Sequence, residues 1–317
     1  MPERRLRVLT WHVHGNYLYY LTQVPHDFYL VTDAERSTHH TGRSGRLPWG
    51  DNVHEAPVER IAQMEFDVVL FQSREAYDSE QYRILSPAQM CLPRIYLEHD
   101  PPQEHPTNTR HWVDDPQVLL VHVTHFNALM WDSGSTPTRV IEHGVLPLAE
   151  ARWRGELETG LVVVNNLDRR GRRLGADVYE QVRRQVPLTL AGMGAERIAG
   201  GIGEVAQDAL PALMASHRFF FHPIRYTSLG LSVIEAMMVG MPIVGLATTE
   251  LPTVIVDGDS GFVDTRVDRL IDAMQRLLRD PAEARRVGDN ARRVALERFN
   301  IRRFAADWSD ALRSVAV

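Results

Sequence analysis

The segment from Pro223 to Gly261 holds the groups with the clearest chemistry in this sequence. Pro223 ends an apolar run, a short loop follows, and Gly230 stands before a helical stretch that ends at Gly240. A helix that starts at the carboxyl edge of a parallel sheet presents free N–H groups, and these bind anions such as phosphate. The candidate amides belong to Ser228, Leu229, Gly230 and Leu231.

Glu235 lies one turn inside that predicted helix. Its carboxylate would repel phosphate, but it can accept two hydrogen bonds from the hydroxyls of a ribose. The sequence also allows a purely structural interpretation. Ser232 and Glu235 have the spacing of a capping box, in which the glutamate bonds to the Ser232 amide. Both interpretations stay open from these residues alone.

The elements that must position these groups are short apolar runs separated by helical stretches, a pattern typical of parallel sheets covered by helices. Strands are predicted at 6–13, 27–31, 67–71, 94–98, 118–123, 138–143, 161–166, 188–194, 218–223 and 242–247. Helices are predicted near 16–23, 57–64, 86–91, 124–132, 174–186, 208–216, 231–239, 266–280, 281–297 and 301–315.

The restart of this pattern after residue 160 predicts two doubly wound, Rossmann-like α/β domains that face each other across a cleft. We expect one domain at 1–150, a second at 151–297, and a linker within 144–160. Segment 32–56 contains Gly, Pro, Ser and Asn, and it is predicted to form a long loop over the end of the first sheet.

Composition narrows the class of protein. The 317 residues suit two domains of about 150 residues each, with ordinary hydrophobic and charged fractions of 44% and 24%. No stretch approaches the ~18 apolar residues of a membrane span, and the first residues lack a signal-peptide core. Cys91 is the one cysteine, so no intrachain disulfide can form. We expect a cytoplasmic protein.

Charge and histidine content exclude two further classes of site. Residues 1–150 carry 12 arginines against 20 acidic residues, which argues against nucleic acid as a partner. Twelve of the 14 histidines lie in the same half. His12 and His14 alternate on a predicted strand and could share a metal. Because no cysteine or well-spaced carboxylate completes such a site, we expect polar histidines in a cleft and no metal.

The stretch from Pro223 to Gly261 resembles the signature of retaining glycosyltransferases of the family 4 type (glycosyl transferases group 1), which have the GT-B fold. The family signature is a Pro, a Glu-Gly-Phe-Gly-Leu-Pro-like run, a Glu-Ala pair, a Gly-Thr-Pro-Val-Val-like strand and an Asp-Gly-x-x-Gly turn. This sequence has, in turn, Pro223, 227–232 (TSLGLS), Glu235-Ala236, 240–244 (GMPIV) and 257–261 (DGDSG). Weaker resemblances are found at 14–16, 98–100, 141–145 and 192–194.

The resemblance implies a role for each matching residue. Glu235 would hold the ribose hydroxyls, and the amides around Gly230 would hold phosphate or sugar. His99 would lie beside the transferring sugar, where its ring or backbone can stabilise an oxocarbenium-like centre or orient a hydroxyl. Gly15 would approach the distal phosphate and the sugar of the donor. The final helix, from residue 298 on, would return to the first domain, which would hold the acceptor.

Two departures from the family pattern stand out. The first glutamate of the family's paired-glutamate motif, which contacts sugar hydroxyls, is Thr227 here. The family's Arg and Lys that hold the diphosphate are also replaced. Because the chain has no lysine, we expect Arg173 in the lysine position, with Arg169 or Arg170 as its partner. Forked guanidinium groups bind phosphate in bidentate fashion, although loop arginines are also ordinary surface charge.

The resemblance implies a metal-independent, hexosyl-type transferase that needs no cofactor beyond its co-substrate. That co-substrate would be a UDP-, GDP-, ADP- or dTDP-sugar, and the acceptor a glycan, a natural product or a lipid. Two alternatives remain. A neutral Thr227 suits a non-catalytic nucleotide-sugar-binding partner subunit on the same fold. A sugar-nucleotide epimerase on a GT-B scaffold would release modified donor without any acceptor.

Overall fold

The computed structural model describes residues 4–148 and 151–316 and divides the chain into two units. The first unit comprises residues 1–144 and 301–317, and the second comprises residues 145–300. The divisions predicted from the sequence lie after residues 150 and 297. Residues 149 and 150, inside the predicted linker, lie outside the described residues. None of the helices in the described ranges is long and apolar enough to cross a membrane.

The first unit is built on a seven-stranded parallel sheet. Its strands are β1 (Arg7–Thr10), β2 (Asp27–Thr32), β3 (Val53–Pro57), β4 (Val68–Phe71), β5 (Arg94–Glu98), β6 (Val118–His122) and β7 (Thr138–Val140). Their order in the sheet is β3-β2-β1-β4-β5-β6-β7, so the chain reverses its direction of growth between β1 and β4. Runs such as the VVLF of β4 are wholly buried, as expected for strands with both faces covered.

Short helical segments connect these strands. They are α1 (Gly15–Leu21), α2 (Val58–Ile61), α3 (Gln81–Ile84) and α4 (His125–Met130). A π-helical turn at Ala76–Glu80 precedes α3, and a 3-10 turn at Gln89–Cys91 stands where a helix over 86–91 was predicted.

The second unit has a five-stranded parallel sheet. In chain order its elements are β8 (Leu157–Val163), α5 (Leu167–Leu174), α6 (Ala176–Arg183), β9 (Leu188–Ala191), α7 (Leu210–Ser216), β10 (His217–His222), α8 (Leu231–Val239), β11 (Ile243–Leu246), α9 (Leu251–Val254), β12 (Gly261–Asp264), α10 (Val267–Arg279) and α11 (Pro281–Arg298). The strand order is β12-β11-β10-β8-β9, so the reversal lies between β8 and β10.

The final helix, α12 (Ile301–Val315), belongs to the first unit. Its Trp308 is buried and donates a hydrogen bond from Nε1 to Tyr17 Oη at 3.1 Å. Phe304 packs so closely on Gly144 that a Cβ at that glycine would lie 2.1 Å from the Phe304 Cβ. Aromatic burial of this kind fixes α12 against α1 and the end of the first sheet.

Each of the ten predicted strands overlaps an observed strand, whereas two strands were missed. The predicted loop 32–56 contains most of β3, and β12 was not predicted. Both are edge strands, which bury less side chain and so lack a strong apolar pattern. The sequence predicts a loop for the arginine cluster at 169–173, but the cluster lies in α5. The helical backbone of α5 is interrupted at Gly171, whose φ is 53°.

Candidate functional site

The segments of the second unit that contain the predicted site residues meet where its sheet reverses direction. Strands β8 and β10 are parallel neighbours, with Phe220 opposite Leu161. Carboxyl ends of neighbouring parallel strands lie at one edge of the sheet, and ligands of open α/β sheets bind at such reversal points. The arginine cluster after β8 and the loop after β10 are therefore brought to the same place, although about 50 residues separate them in the sequence.

Backbone contacts join these two segments. The amides of Arg225 and Tyr226 donate to the carbonyl oxygen of Arg173, at 3.0 and 3.3 Å. Gly175 has a φ of 82°, and a Cβ there would lie 2.0 Å from the Pro223 carbonyl oxygen. Only glycine combines this backbone conformation with such an approach. The start of the 223–230 loop is therefore held against the junction between α5 and α6.

Helix α8 begins as predicted, with Gly230 at its N-cap, and it ends at Gly240, whose φ is 96°. The N-cap residue is a glycine, so it has no side chain that could cap the N-terminus. Gly230 itself has an ordinary φ of −69°, and a Cβ there would come no nearer than 3.7 Å to any surrounding atom. Neither backbone strain nor packing within the protein requires glycine at this position. Of the other candidate amide donors, Leu229 is buried, whereas Ser228 and Leu231 are partly exposed.

Glu235 is buried inside α8, with 2% of its surface exposed. Its Oε1 accepts a hydrogen bond from Gln207 Nε2 at 3.0 Å. The capping-box interpretation is wrong, because Gly230 and not Ser232 occupies the N-cap position. A buried carboxylate is costly unless it is hydrogen-bonded, and the Gln207 side chain offsets part of that cost for Glu235.

The arginines of the cluster have different surroundings. Arg169 and Arg170 are exposed on α5, before the break at Gly171. Arg172 pairs with Asp177, at 2.5 Å between Nη1 and Oδ2. Arg173 is partly exposed and lies beside Tyr226. Burial raises the pKa of the Tyr226 hydroxyl, and the positive charge of Arg173 opposes that shift.

The loop that contains Tyr226 also contains Thr227, which is partly exposed. Of the cluster, Arg173 accepts two backbone hydrogen bonds from the loop that leads into α8, and the Arg172 carbonyl oxygen accepts one from the Arg225 side chain.

Two residues near α8 were missed by the sequence analysis. Gln207, the partner of Glu235, precedes α7 and carries no pattern that would have identified it. His222 ends the buried strand β10, and its Cε1 would lie 3.9 Å from a Cβ at Gly230. Burial lowers the pKa of His222 to about 4, so its ring is neutral. A polar residue at the carboxyl end of an apolar run is the signal that could have found it.

The glycine-rich turn after β9 is bound to the end of β8. The Met193 amide donates to Asn165 Oδ1 at 2.9 Å, and the Asn166 amide donates to the Met193 carbonyl oxygen at 2.7 Å. Gly192 has a φ of 134°, and a Cβ there would lie 2.5 Å from the Val164 carbonyl oxygen. This turn therefore belongs to the same edge of the sheet.

In the first unit, His99 follows β5 at the carboxyl edge of the sheet. The centroid of its ring lies 4.3 Å from that of His14 and 4.8 Å from that of Tyr17, both in edge-to-face contacts. Gln72, which follows β4, accepts a hydrogen bond from His99 Nε2 at 3.2 Å. Burial, followed by the nearby His14 and His143, lowers the pKa of His99 well below its usual value. Gln72 was also missed, because it has no sequence signal beyond its position after a strand.

Gly15 and the remaining histidines of this edge have separate partners. Gly15 is the first residue of α1, and a Cβ there would lie 3.1 Å from His12 Nε2. His12 Nδ1 contacts the Gly42 carbonyl oxygen at 2.8 Å and Ser44 Oγ at 3.1 Å, whereas His14 faces His99. In residues 4–148 and 151–316, no group of three or more His, Cys, Asp or Glu side chains could hold a metal ion.

Comparison with known sequences finds a match to one family model within the second unit. Residues 200–294 match Glycosyl transferases group 1. The chain is 32% identical over 177 residues to the MMP alpha-(1->4)-mannosyltransferase of Mycolicibacterium hassiacum, which covers 55% of this chain and 39% of that protein. It is 42% identical over 62 residues to the O-antigen chain mannosyltransferase B of Escherichia coli, which covers 20% of this chain and 16% of that protein. The chain thus spans less than two fifths of the length of either relative.

Solved structures match over nearly the whole chain. Anabaena Alr3699/HepE in complex with UDP and glucose has a TM-score of 0.71 at 14% identity, over 98% of this chain and all of that one. Sucrose-phosphate synthase from Thermosynechococcus elongatus has a TM-score of 0.69 at 17% identity, over 98% and 99% of the two chains. The predicted fold class is therefore confirmed: the chain has the GT-B fold, with a segment of its second unit that matches glycosyl transferases group 1.

Proposed function

We propose that the chain is a glycosyltransferase that moves a hexosyl group from a nucleoside diphosphate sugar to a hydroxyl acceptor with retention of configuration. The observation that carries the proposal is the arrangement around one loop of the second unit. The N-terminus of α8, whose N-cap residue is a glycine, the buried Glu235 and the arginine at 173 all border residues 223–235. The family match over residues 200–294 supports it, as does a structural neighbour solved with UDP and glucose.

In this proposal the second unit binds the donor. The amides of residues 228–231 hold phosphate or sugar, and Gly230 allows the ligand to approach the backbone where a Cβ would stand. Glu235 accepts hydrogen bonds from the ribose hydroxyls. Arg173 holds the diphosphate, with Arg169 or Arg170 as a second cation. Guanidinium groups and helix-terminal amides aimed at the leaving diphosphate stabilise the charge that develops as the glycosidic bond breaks.

The first unit would supply the acceptor side and two contacts to the donor. His99 would contact the transferring sugar, and Gly15 would approach its phosphate. No carboxylate or hydroxyl stands out as a covalent nucleophile in the sequence. By the resemblance to retaining glycosyltransferases, the acceptor hydroxyl would attack from the face on which the diphosphate leaves, and a phosphate oxygen would take its proton. Arginines and amides would neutralise the diphosphate without a metal ion. A glycan, a natural product or a lipid would be the acceptor.

Calorimetric titration with UDP, GDP, ADP and dTDP tests this proposal. Two charge-assisted hydrogen bonds at ~1.5–3 kcal/mol each predict about a hundredfold or greater loss of affinity for the preferred nucleotide in Glu235→Ala. Glu250→Ala is the matched control. Glu250 is another buried glutamate of the second unit, which accepts a hydrogen bond from Thr253 Oγ1 at 2.8 Å and pairs with Arg298 at 3.5 Å. We expect Glu250→Ala to keep the affinity.

The possible results of the titration distinguish an error about the role of Glu235 from an error about the proposed activity. Equal affinity in Glu235→Ala and the wild type would remove Glu235 from the site. No binding of any of the four nucleotides at millimolar concentration would contradict the glycosyltransferase proposal itself.

Thr227 supports one alternative, a binding subunit that has lost turnover. Such a subunit would bind nucleotides and nucleotide sugars, but it would not release free nucleotide from a bound nucleotide sugar. Replacement of Thr227 by Glu restores the residue of the family motif. If turnover is absent in the wild type and is measured in Thr227→Glu, the non-catalytic alternative is correct.

A further inference from the structure

The hydrogen-bond partners of Gln72 determine the orientation of its side-chain amide. Gln72 is buried, and its Nε2 lies 2.9 Å from the Trp11 carbonyl oxygen and 3.0 Å from Thr10 Oγ1. A backbone carbonyl can only accept a hydrogen bond, so the NH₂ group of Gln72 must face it. With the NH₂ group placed there, Gln72 Oε1 is the atom that faces His99.

This orientation decides which nitrogen of His99 carries the hydrogen. Gln72 Oε1 has no hydrogen to donate, so the contact of 3.2 Å requires an N–H at His99 Nε2. A neutral imidazole has one N–H, which leaves a lone pair on Nδ1. Burial and the neighbouring His14 and His143 lower the pKa of His99 and keep the ring in this neutral form.

His99 is held at other points as well. Asn127 Nδ2 donates to its carbonyl oxygen at 3.2 Å, and the rings of His14 and Tyr17 contact its ring edge to face. Asn127 lies in α4, where its backbone N–H donates to Oγ1 of the N-cap residue Thr124 at 3.0 Å. His99 itself stays partly exposed at the carboxyl edge of the sheet. His99 therefore presents a fixed ring whose second nitrogen is a hydrogen-bond acceptor.

We propose that Gln72 is a positioning residue, which holds His99 as the Nε2–H tautomer so that Nδ1 accepts a hydrogen bond from a hydroxyl of the transferred sugar. The proposal rests on the proposed function for the identity of that ligand. It assigns to His99 a hydroxyl and not a phosphate, because a nitrogen lone pair repels an anion. Gln72 connects the ends of β1, β4 and β5, so it couples the ring orientation to the reversal point of the sheet.

The tautomer is measured directly by nitrogen-15 NMR of the ligand-free protein with labelled histidine. The His99 signals are identified by their loss in His99→Asn. We expect an unprotonated Nδ1 and a protonated Nε2 in the wild type, and a mixture of tautomers in Gln72→Met. A wild-type His99 protonated at Nδ1, or a tautomer ratio unchanged in Gln72→Met, overturns the proposal.

Two further variants distinguish a specific effect of Gln72 on the His99 tautomer from a general loosening of the surrounding structure. Thr10→Val removes one of the two hydrogen bonds that Gln72 donates and leaves the contact with His99, so we expect the wild-type tautomer. Gln72→Glu keeps an oxygen acceptor opposite Nε2, and at alkaline pH it should restore the Nε2–H form. If Thr10→Val shifts the tautomer as much as Gln72→Met does, the effect is general loosening and the proposal fails.

A kinetic readout links the tautomer to function. With UDP-, GDP-, ADP- and dTDP-glucose as donors and water as the acceptor, we expect Gln72→Met to lower kcat for release of the nucleoside diphosphate about tenfold, the effect of one lost hydrogen bond, with nucleotide affinity unchanged. A loss confined to nucleotide affinity would overturn the role of Gln72. If the wild type turns over none of the probes, the failure concerns the proposed function, while the NMR result still decides whether Gln72 sets the tautomer.

Discussion

Arg225 and Asp177 form a bidentate ion pair that joins the loop after β10 to helix α6. Nη1 lies 2.6 Å from Oδ1, and Nη2 lies 2.8 Å from Oδ2. Arg225 Nη1 also donates to the carbonyl oxygen of Arg172 at 2.7 Å. Because the Arg225 amide is bonded to Arg173, one residue fixes the loop through both its backbone and its side chain.

We expect Arg225→Ala to weaken binding of the preferred nucleotide about twofold to fivefold, because a partly exposed ion pair contributes about 1 kcal/mol or less and the loop would lose its preferred geometry. Arg225→Lys should not restore binding, since an ammonium group cannot form the fork. Arg266→Ala is the control. It breaks a similar bidentate pair with Asp264, at 3.0 and 2.7 Å, at the start of α10. Equal losses in both alanine variants would contradict the prediction.

Gly230→Ala should separate binding from stability. A Cβ at this position meets nothing closer than 3.7 Å, and φ is −69°, so the protein itself accepts alanine. We expect an unfolding free energy unchanged or raised by about 0.4–1 kcal/mol, because alanine restricts the unfolded chain. Nucleotide affinity should fall at least tenfold, since the methyl group occupies the space of the ligand.

Gly175→Ala provides the opposite case. Its φ of 82° and a Cβ 2.0 Å from the Pro223 carbonyl oxygen make alanine strained, so this variant should be destabilised in urea unfolding. If Gly230→Ala binds the nucleotide as the wild type does, the amides of α8 are not the phosphate site.

Arg173→Ala should reduce affinity for a nucleoside diphosphate about tenfold to a hundredfold, the range for a charge-assisted hydrogen bond, and leave affinity for the nucleoside alone unchanged. The salt dependence of binding should also become less steep. Arg184→Ala, an exposed arginine at the end of α6, is the control and should bind normally. An equal effect on diphosphate and nucleoside would place Arg173 away from the phosphates.

His222 predicts a pH dependence of stability. Burial lowers the pKa of His222 to about 4 in the folded chain, compared with its usual value of 6.5. Between these values the unfolded chain binds a proton that the folded chain does not, so the free energy of unfolding falls as pH falls from about 6.5 to 4. The shift corresponds to about 3 kcal/mol.

Urea unfolding at several pH values measures this effect. His222→Gln should be less sensitive to acid than the wild type over that window, whereas His39→Gln, at an exposed position, should follow the wild type. An unchanged pH profile in His222→Gln would show that His222 is not responsible.

The sequence by itself determined the parts of this fold that depend on local pattern. Helix α8 was predicted at its observed bounds, 231–239, because a glycine stands at each end of an apolar run. The α12 helix at 301–315 and strand β5 at 94–98 were predicted equally well. Apolar periodicity and helix-ending glycines act over a few residues, so a single sequence contains them in full.

Only the tertiary structure decided which of these elements lie together. Gln207 beside Glu235, and Gln72 beside His99, are separated by 28 and 27 residues, and no pattern in the sequence connects them. The choice between a capping box and an interior carboxylate for Glu235 also depended on where the helix begins in space. Contacts between strand ends follow from strand order, here β10-β8 and β1-β4-β5, and strand order is set by the packing of the whole sheet and not by any local run of residues.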